Sequence, residues 1–426
     1  MQRCREKLPL IIIFLFVALG AQGQIASSPF SSLGIGDLQP NGNTQNQAMG
    51  GIGISNGSPW YINMANPALL TNNHVAVFQA GIQYEKKTLT DGTNSQKFKN
   101  ANLNYLALAL PIMANRWTTA IGLAPYSNVN YNFSSQDFVA GTNQLATYQQ
   151  SGKGGINQFY WSNGVVLNKY FSVGAKATYL FGSVVSQNPA FIPNAFTNAT
   201  ITTTDAFGGL NLGGGLSFHM DSLFKGNYKI GIGVIGNFGS ALRVQHQSKY
   251  QSMLPNGFLL DSITFEKKYG KMTLPASFGA GISFGKTNRW TAGFDFTSLD
   301  YRSFDYKTND QTRQYFGTTT VGYRSGFGFE FTPKGEDFIH YFKRITYRVG
   351  GSYERSPIIL PNGNPIIDMG GTFGVSLPVS ISTLDIGIKI GKRGLVSQNL
   401  IEENYFRVYF GVTFNDRLWF IKRKFD

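Results

Sequence analysis

The sequence predicts an all-β protein, a transmembrane antiparallel β-barrel of about 14 strands, and three observations support this. The chain is rich in glycine (50 of 426 residues), phenylalanine (35) and tyrosine (21), whereas charged residues make up 14%, against about 25% in an average protein. Apolar residues alternate with small or polar ones through most of the chain. The connections between these segments are alternately long and short along the chain.

The N-terminus has the pattern of a secretory signal peptide over residues 1–23. Basic residues precede an apolar run over 8–19, which is too short to span a bilayer, and Ala21-Gln22-Gly23 forms a small-residue cleavage site. Cleavage would remove Cys4, the single cysteine, so the mature chain is expected to use neither disulfides nor thiol chemistry. No later apolar run has the length of a membrane helix, which leaves an exported barrel, a periplasmic protein or a secreted one.

Fourteen segments show the two-residue period of β-strands. In the last of them, Phe406 and Phe410 share an apolar face, and Arg407 shares the opposite face with small or polar residues. Lipid outside and a polar lumen inside would explain this pattern, although a soluble β-sandwich would alternate in the same way. The segments are 74–85, 101–112, 117–133, 156–168, 170–185, 200–219, 227–250, 271–285, 288–302, 316–331, 345–355, 366–379, 383–392 and 403–415.

The connections favour the barrel over the sandwich. Bacterial outer-membrane barrels have an even number of strands, tight turns at the periplasmic end and longer loops outside the cell, and a sandwich has no reason to sort its loops in this way. Connections 220–226 and 332–344 are longer exceptions at the tight-turn end. The predicted long loops are 86–100, 134–155, 186–199, 251–270 and 303–315, and the tight turns include 114–116, 169, 286–287 and 380–382.

The segment before the first strand carries the most specific motif. Ala48-Met49-Gly50-Gly51-Ile52-Gly53-Ile54 is followed by Trp60 and by Asn66-Pro67-Ala68. This arrangement resembles the FadL/TodX family of outer-membrane transporters for long-chain fatty acids and hydrocarbons. The resemblance implies that residues 24–73 form a hatch inside the barrel 74–426, with Gly50, Gly51, Asn66, Pro67 and Ala68 as the hatch motif. An ordinary turn at Asn66-Pro67 is the alternative.

The same resemblance implies a lateral opening in the third strand, where Gly122 and Pro125 are the candidate kink. A proline removes a donor from the strand ladder and is typical of an edge or a bulge, although a proline near a strand end could interrupt nothing. Extracellular loops of the family capture the ligand, which makes Phe191, Ile192 and Phe196 candidates here. Packing within the loop is the alternative.

Alternation places several cations on the inner face, where one could bind a carboxylate head group. They share that face with Asp295, Glu330, Glu354, Asp368 and Asp385, so ion pairs across the lumen that hold the hatch are the alternative. The candidate ligand-binding cations are Lys176, Arg324, Arg348 and Arg407, and Lys389 lies on the same face.

The sequence does not indicate an enzyme. Residues 281–285 match G-x-S-x-G and residues 231–236 match G-x-G-x-x-G, but both lie in strands with no helix after them. The four histidines show no metal spacing, and no cofactor is expected. An outer-membrane phospholipase would need a serine and a histidine on one barrel face, and no motif points to one. The net charge of +14 is scattered, so nucleic acid is not expected as a partner.

Three functions remain. The first is passive transport of a hydrophobic, fatty acid-like molecule in the outer membrane of a Gram-negative cell, with outer-membrane lipid around the barrel. The second is a FadL-like barrel that serves as a partner or shuttle component of a protein secretion system. The third, a general porin, would require an open lumen.

Overall fold

The computed structural model describes residues 28–139, 141–193, 195–223, 227–308, 311–312, 318–337, 339–398 and 400–416. The predicted signal peptide and the first residues of the predicted hatch lie outside these ranges. Among the described residues, no helix is long and apolar enough to cross a membrane.

Strands dominate the structure. They are β1 (Asp37–Leu38), β2 (Ala76–Thr90), β3 (Ser95–Met113), β4 (Trp117–Phe138), β5 (Leu145–Val166), β6 (Phe171–Phe191), β7 (Asn198–Leu223), β8 (Tyr228–Asn237), β9 (Ser240–Met253), β10 (Leu259–Thr264), β11 (Lys268–Leu274), β12 (Ser277–Lys286), β13 (Trp290–Asp300), β14 (Asp305–Thr308), β15 (Gln311–Thr312), β16 (Thr318–Thr319), β17 (Val321–Phe331), β18 (Thr346–Ile359), β19 (Pro365–Val379), β20 (Ser382–Arg393) and β21 (Glu402–Asp416). The helices are α1 (Thr44–Ala48) and α2 (Tyr341–Arg344), with 3₁₀ turns at Pro29–Ser32, Pro67–Asn72, Tyr301–Ser303 and Val396–Gln398.

Strands β2 to β21 form one antiparallel barrel wall that closes on itself, because β21 pairs with β2 along its whole length. Short interruptions divide some wall strands: β8 continues as β9, β10 as β11 and β12, β13 as β14, and β15 as β16 and β17. When these pieces are joined, the described residues form a closed barrel of 14 strands. The predicted fold and strand number are confirmed.

The two faces of the wall differ as the alternation predicts. In β21, Phe406, Phe410 and Phe414 are 38–48% exposed, whereas Tyr405 and Tyr409 are 3% and 2% exposed. Large apolar side chains cover the outside of the described strands in the same way. Polar and charged side chains line much of the inside, together with an apolar cluster that includes Leu180, Leu242 and Met272 and packs against Ile35. The outward face therefore suits lipid, and the inward face suits a polar lumen.

The predicted long loops are wrong in conformation, because most of their residues extend the strands. Strands β4, β5, β6 and β7 contain 22, 22, 21 and 26 residues, whereas about 9–11 suffice to cross a bilayer. The predicted loop 134–155 shrinks to 139–144, and 186–199 shrinks to 192–197. Strand pairing continues beyond the membrane, where water no longer requires an apolar outer face, so the apolar alternation ends before the strands do.

The N-terminal segment, residues 28–73, lies against the inner face of the wall. Its backbone approaches so closely that many wall positions facing it admit no side chain. A Cβ atom added to Gly233 would lie 1.9 Å from the carbonyl oxygen of Ile54, and one added to Gly326 would lie 2.4 Å from that of Gly50. Six of the inner glycines in such contact are here called the glycine belt: Gly164, Gly174, Gly233, Gly326, Gly328 and Gly350.

Candidate functional site

A cavity of about 280 Å³ lies between the N-terminal segment and the inner wall. The segment contributes residues such as Gly51 and Ile54, and the wall contributes Thr178, Asn237 and Thr297. Apolar side chains and hydrogen-bonding groups contribute similar shares of its surface. A mixed lining of this kind suits a ligand that is part apolar and part polar.

Lys176 is the buried cation at this cavity with the fewest partners. Its side chain extends from β6 and is 8% exposed. The Nζ atom donates to the Met64 carbonyl oxygen over 3.4 Å and lies 4.7 Å from the centre of the Tyr160 ring. Within the described part of the chain, no carboxylate lies within 4.0 Å of it. A buried ammonium without an anion is costly, and an anionic group in the cavity would lower that cost.

The other candidate cations are paired. Arg324 forms two hydrogen bonds with Glu354, at 2.8 and 3.0 Å. Arg407 donates to Glu85 over 2.7 Å. Both side chains line the cavity, as does Lys389, which lies 3.9 Å from Asp368. The positive charges of these groups are therefore largely neutralised by carboxylates of the wall.

Arg348 lies away from the cavity, so the structure does not join it to the other three candidates. Its Nε donates to Glu330 over 2.9 Å, and it also contacts the hydroxyl of Ser376, which in turn donates to Asp385. Asp385 accepts from Gln45 of the N-terminal segment over 2.6 Å. Arg348 thus belongs to a network that holds α1 against the wall.

The predicted hatch motif lies at the contact between segment and wall. Asn66 is fully buried, and its side-chain amide donates to the carbonyl oxygens of Ile54 and Leu216 over 2.8 and 3.1 Å. Its side-chain oxygen accepts from the N–H of Ala68 and so caps the turn that begins at Pro67. The motif therefore links two parts of the segment to β7.

Gly50 and Gly51 form a left-handed bend after α1, with φ values of +70° and +86°. The N–H of Gly50 donates to Thr372 over 2.9 Å, and an added side chain would meet the Gly351 carbonyl oxygen at 2.4 Å. Gly51 is exposed and borders the cavity. At Gly50, only glycine fits both the positive φ and the close approach of the Gly351 carbonyl oxygen.

The wall is incomplete between β3 and β4. Their pairing ends at Leu106 and Leu123, although both strands continue beyond these residues. Pro125, two residues after Leu123, lies at a register shift against β5. Gly122 faces inward, where the Tyr160 ring covers it. Gly122 and Pro125 thus flank the point where the ladder stops.

The N-terminal segment occupies the free edge of β4. Strand β1 pairs with it, with Asp37 opposite Asn128 and Leu38 opposite Ser127. The N–H of Gln39 donates to Tyr126, and the N–H of Ser28 donates to Asn130. Residues 28–39 are called the edge strap below. This pairing could not be predicted from the sequence, because the two residues of β1 are too few to show a period.

Polar contacts fix the edge strap to the opposite wall as well. Arg393 of β20 lies 2.7 Å from the Asp37 carboxylate. The Ser28 hydroxyl donates to Glu403 of β21 over 2.5 Å. The strap therefore joins β4 to strands on the other side of the gap.

The three apolar candidates from the predicted capture loop do not reach the cavity. Phe191 is the last residue of β6 and is 42% exposed. Ile192 follows it, and Phe196 is 80% exposed in the connection to β7. They lie at the end of the barrel where the strands extend furthest.

These features define a class of protein: a transmembrane β-barrel of the Gram-negative outer membrane, with its own N-terminal segment inside the lumen. The chain belongs to the BamG family, whose profile matches residues 5–426. No curated protein matches the sequence. Within the described residues, no cluster of three metal-binding side chains occurs.

Several solved structures have a similar fold. A FadL homologue from Pseudomonas aeruginosa is 12% identical over 89% of this chain and 99% of its own, with a TM-score of 0.62. The toluene transporter TbuX of Ralstonia pickettii is 12% identical over 88% and 98%, with a TM-score of 0.59. The monoaromatic hydrocarbon channel CymD is 14% identical over 90% and 99%, with a TM-score of 0.57. The resemblance to FadL/TodX proteins is thus confirmed for the fold, while the sequence family is BamG.

Proposed function

We propose that the protein transports hydrophobic compounds with an acidic end, such as long-chain fatty acids, passively across the outer membrane. The observation that carries this proposal is the cavity beside the gap between β3 and β4, where the edge strap covers β4. A pocket next to a gap in the wall gives a ligand both a binding site and a lateral path into lipid. Two proteins of similar fold, the toluene transporter TbuX and the monoaromatic hydrocarbon channel CymD, support a hydrophobic ligand.

Residues 24–73 act as a hatch in this proposal. Phe191, Ile192 and Phe196 meet the ligand first, since they are apolar and lie at the outer end of the barrel. The ligand then enters the cavity, where the Lys176 ammonium binds its carboxylate. Release follows when the edge strap leaves β4 near Gly122 and Pro125. The gradient of the ligand drives the process.

The head-group role of Lys176 can be tested by ligand binding. Lys176→Met should weaken binding of a fluorescent fatty acid about 10- to 100-fold, as expected for the loss of one charge-assisted pair. Lys389→Met is the matched control, because Lys389 lines the same cavity but already faces Asp368. Equal binding by the wild type and the Lys176 variant would contradict the role.

Lipids that remain bound to the natively purified protein provide a direct test. Mass spectrometry of the extract should find free fatty acids or another single hydrophobic class enriched over an unrelated barrel. An extract without enrichment would contradict the transport proposal.

A second candidate function is that of a partner or shuttle component in a protein secretion system. It is favoured by the connection between β17 and β18 at the tight-turn end, where Ile339 and Phe342 are 87% and 76% exposed. The hydrogen bonds and glycine contacts of the hatch also suit a barrel that stays closed. Another protein that co-purifies stably with the wild type, and no longer does so with the Phe342→Ser variant, would support this function.

A further inference from the structure

An aspartate, a histidine and a serine form a hydrogen-bonded chain on the inner face of the barrel. Asp205 extends from β7, and His246 and Ser248 extend from β9. The Asp205 carboxylate lies 2.5 Å from Nδ1 of His246, and Nε2 of His246 lies 3.0 Å from the Ser248 hydroxyl. These are the contacts of a nucleophile, its general base and the group that orients the base.

Strand register explains the arrangement. Asp205 lies directly opposite His246, so their side chains project from the same face at short distance. Ser248 follows two residues later and therefore shares that face. The aspartate fixes the proton on Nδ1, which leaves Nε2 free to accept the serine proton. The strands are rigid supports, so the geometry does not depend on a loop.

A hydroxyl without a partner stands beside the serine. Thr203 lies directly opposite Ser248 in the β7–β9 ladder. Its Oγ1 atom is buried, and among the described residues it has no hydrogen-bond partner. An unpaired donor next to a nucleophile can stabilise the negative oxygen that develops when an acyl group is attacked.

The three residues lie beyond the apolar belt of the barrel wall. Asp205 is 2% exposed, whereas His246 and Ser248 are half-buried. The outward side chains of the same stretch of β9 are Arg243, Gln245, Gln247 and Lys249, which do not suit the hydrocarbon region of a membrane. The chain of three residues therefore lies in the part of the barrel that projects beyond the membrane.

An apolar surface adjoins the serine. Tyr250 follows Ser248 on the same face, and its ring lies 5.1 Å from that of Phe265. Both rings are nearly half exposed, at 45% and 48%. Such a pair can hold an alkyl chain next to the reacting atoms.

We propose that Ser248, His246 and Asp205 form the catalytic centre of an acyl-ester hydrolase. The Ser248 oxygen attacks the ester carbonyl carbon while His246 takes the hydroxyl proton. His246 then gives this proton to the departing alcohol, which leaves the acyl group on Ser248. Water, activated by His246, attacks the acyl group, frees the serine and releases a carboxylic acid. Asp205 is a positioning residue, and Thr203 donates to the oxyanion in both halves of the reaction.

This activity goes beyond transport and does not depend on it. The substrate class is an ester of an alkyl-chain acid presented at the cell surface. Its product, a long carboxylic acid, has the chemistry that the cavity at Lys176 would accept.

The test uses the full-length protein in mild detergent with a fluorophosphonate probe and with p-nitrophenyl octanoate. The wild type should be labelled, and peptide mass spectrometry should place the label on Ser248. Ser248→Ala and His246→Ala should lose labelling and at least about 100-fold of the hydrolysis rate. Ser252→Ala, on the same strand and face, is the control and should react as the wild type does.

Kinetics separate positioning from folding. Asp205→Asn should lower kcat by roughly 1,000-fold with little change in KM, and Thr203→Val should lower kcat by about 100- to 1,000-fold. A shift in gel migration on heating verifies that each barrel is folded before heating. A folded wild type without label, a label on another residue, or a His246→Ala variant that reacts at the wild-type rate would overturn the proposal.

Discussion

Replacing Asp295 by alanine should release the middle of the hatch from the wall. The Asp295 carboxylate of β13 accepts hydrogen bonds from the backbone N–H groups of Gly53 and Ile54 over 2.6 and 2.7 Å. Each bond to a charged acceptor contributes about 1.5–3 kcal/mol, so the pair contributes about 3–6 kcal/mol. Removal of the buried carboxylate also removes its own desolvation cost, which leaves a net loss of about 2–4 kcal/mol.

Such a loss should raise the population with an open hatch about 30- to 700-fold. Ser55 reports this opening, because it is 5% exposed and its hydroxyl has no partner among the described residues. Ser55→Cys provides a conservative probe, and the rate of its reaction with a bulky maleimide measures opening. The rate should rise at least 30-fold when Asp295→Ala is added and much less when Asp295→Asn is added. Equal rates with and without Asp295→Ala, in barrels that migrate as folded, would refute the reasoning.

Two further predictions concern the glycine belt and the lumen network. Gly233→Ala places a methyl group against the Ile54 carbonyl oxygen, so we expect about 1–3 kcal/mol of destabilisation. The displaced hatch should also raise the ion conductance in planar bilayers. Gly236→Ala is the control, since nothing lies near its added Cβ atom. Arg348→Met leaves Glu330 without its partner, and it should lower the urea midpoint of unfolding by an amount that corresponds to about 3–5 kcal/mol. Unchanged conductance would contradict the first prediction, and an unchanged midpoint would contradict the second.

The sequence predicted the wall well because its signal is local. Each wall strand must expose one face to lipid, so the period of two persists along every strand that crosses the membrane. The same period correctly placed Lys176, Arg324 and Arg407 on the inner face. The period did not predict the strand residues beyond the membrane, because the strands continue there without an apolar face. These residues were predicted as loops.

The contacts inside the barrel could not be predicted, because they depend on register between distant strands. The pairing of Arg348 with Glu330 rather than with a ligand is one example, and the edge strap on β4 is another. The glycine belt was visible only as small residues on the inner face, since the backbone that fills the space comes from the N-terminal segment.

The histidine site shows the same limit. The spacing of His246 and Ser248 is readable from the sequence, since two residues apart on a strand means one face. Their meaning depends on Asp205, which is 41 residues from His246 and is brought opposite it by the ladder between β7 and β9.

The central claim is that hydrophobic compounds pass through this barrel when the edge strap leaves β4. Leu38 and Ser127 are direct partners in an antiparallel pair, where Cα atoms lie about 4.5–5.5 Å apart, within the range of a disulfide. Uptake of radiolabelled palmitate by cells that carry Leu38→Cys and Ser127→Cys should be lost under oxidising conditions and restored by a reductant. Each single variant should transport under both conditions. Full uptake with the strap cross-linked to β4 would contradict the account.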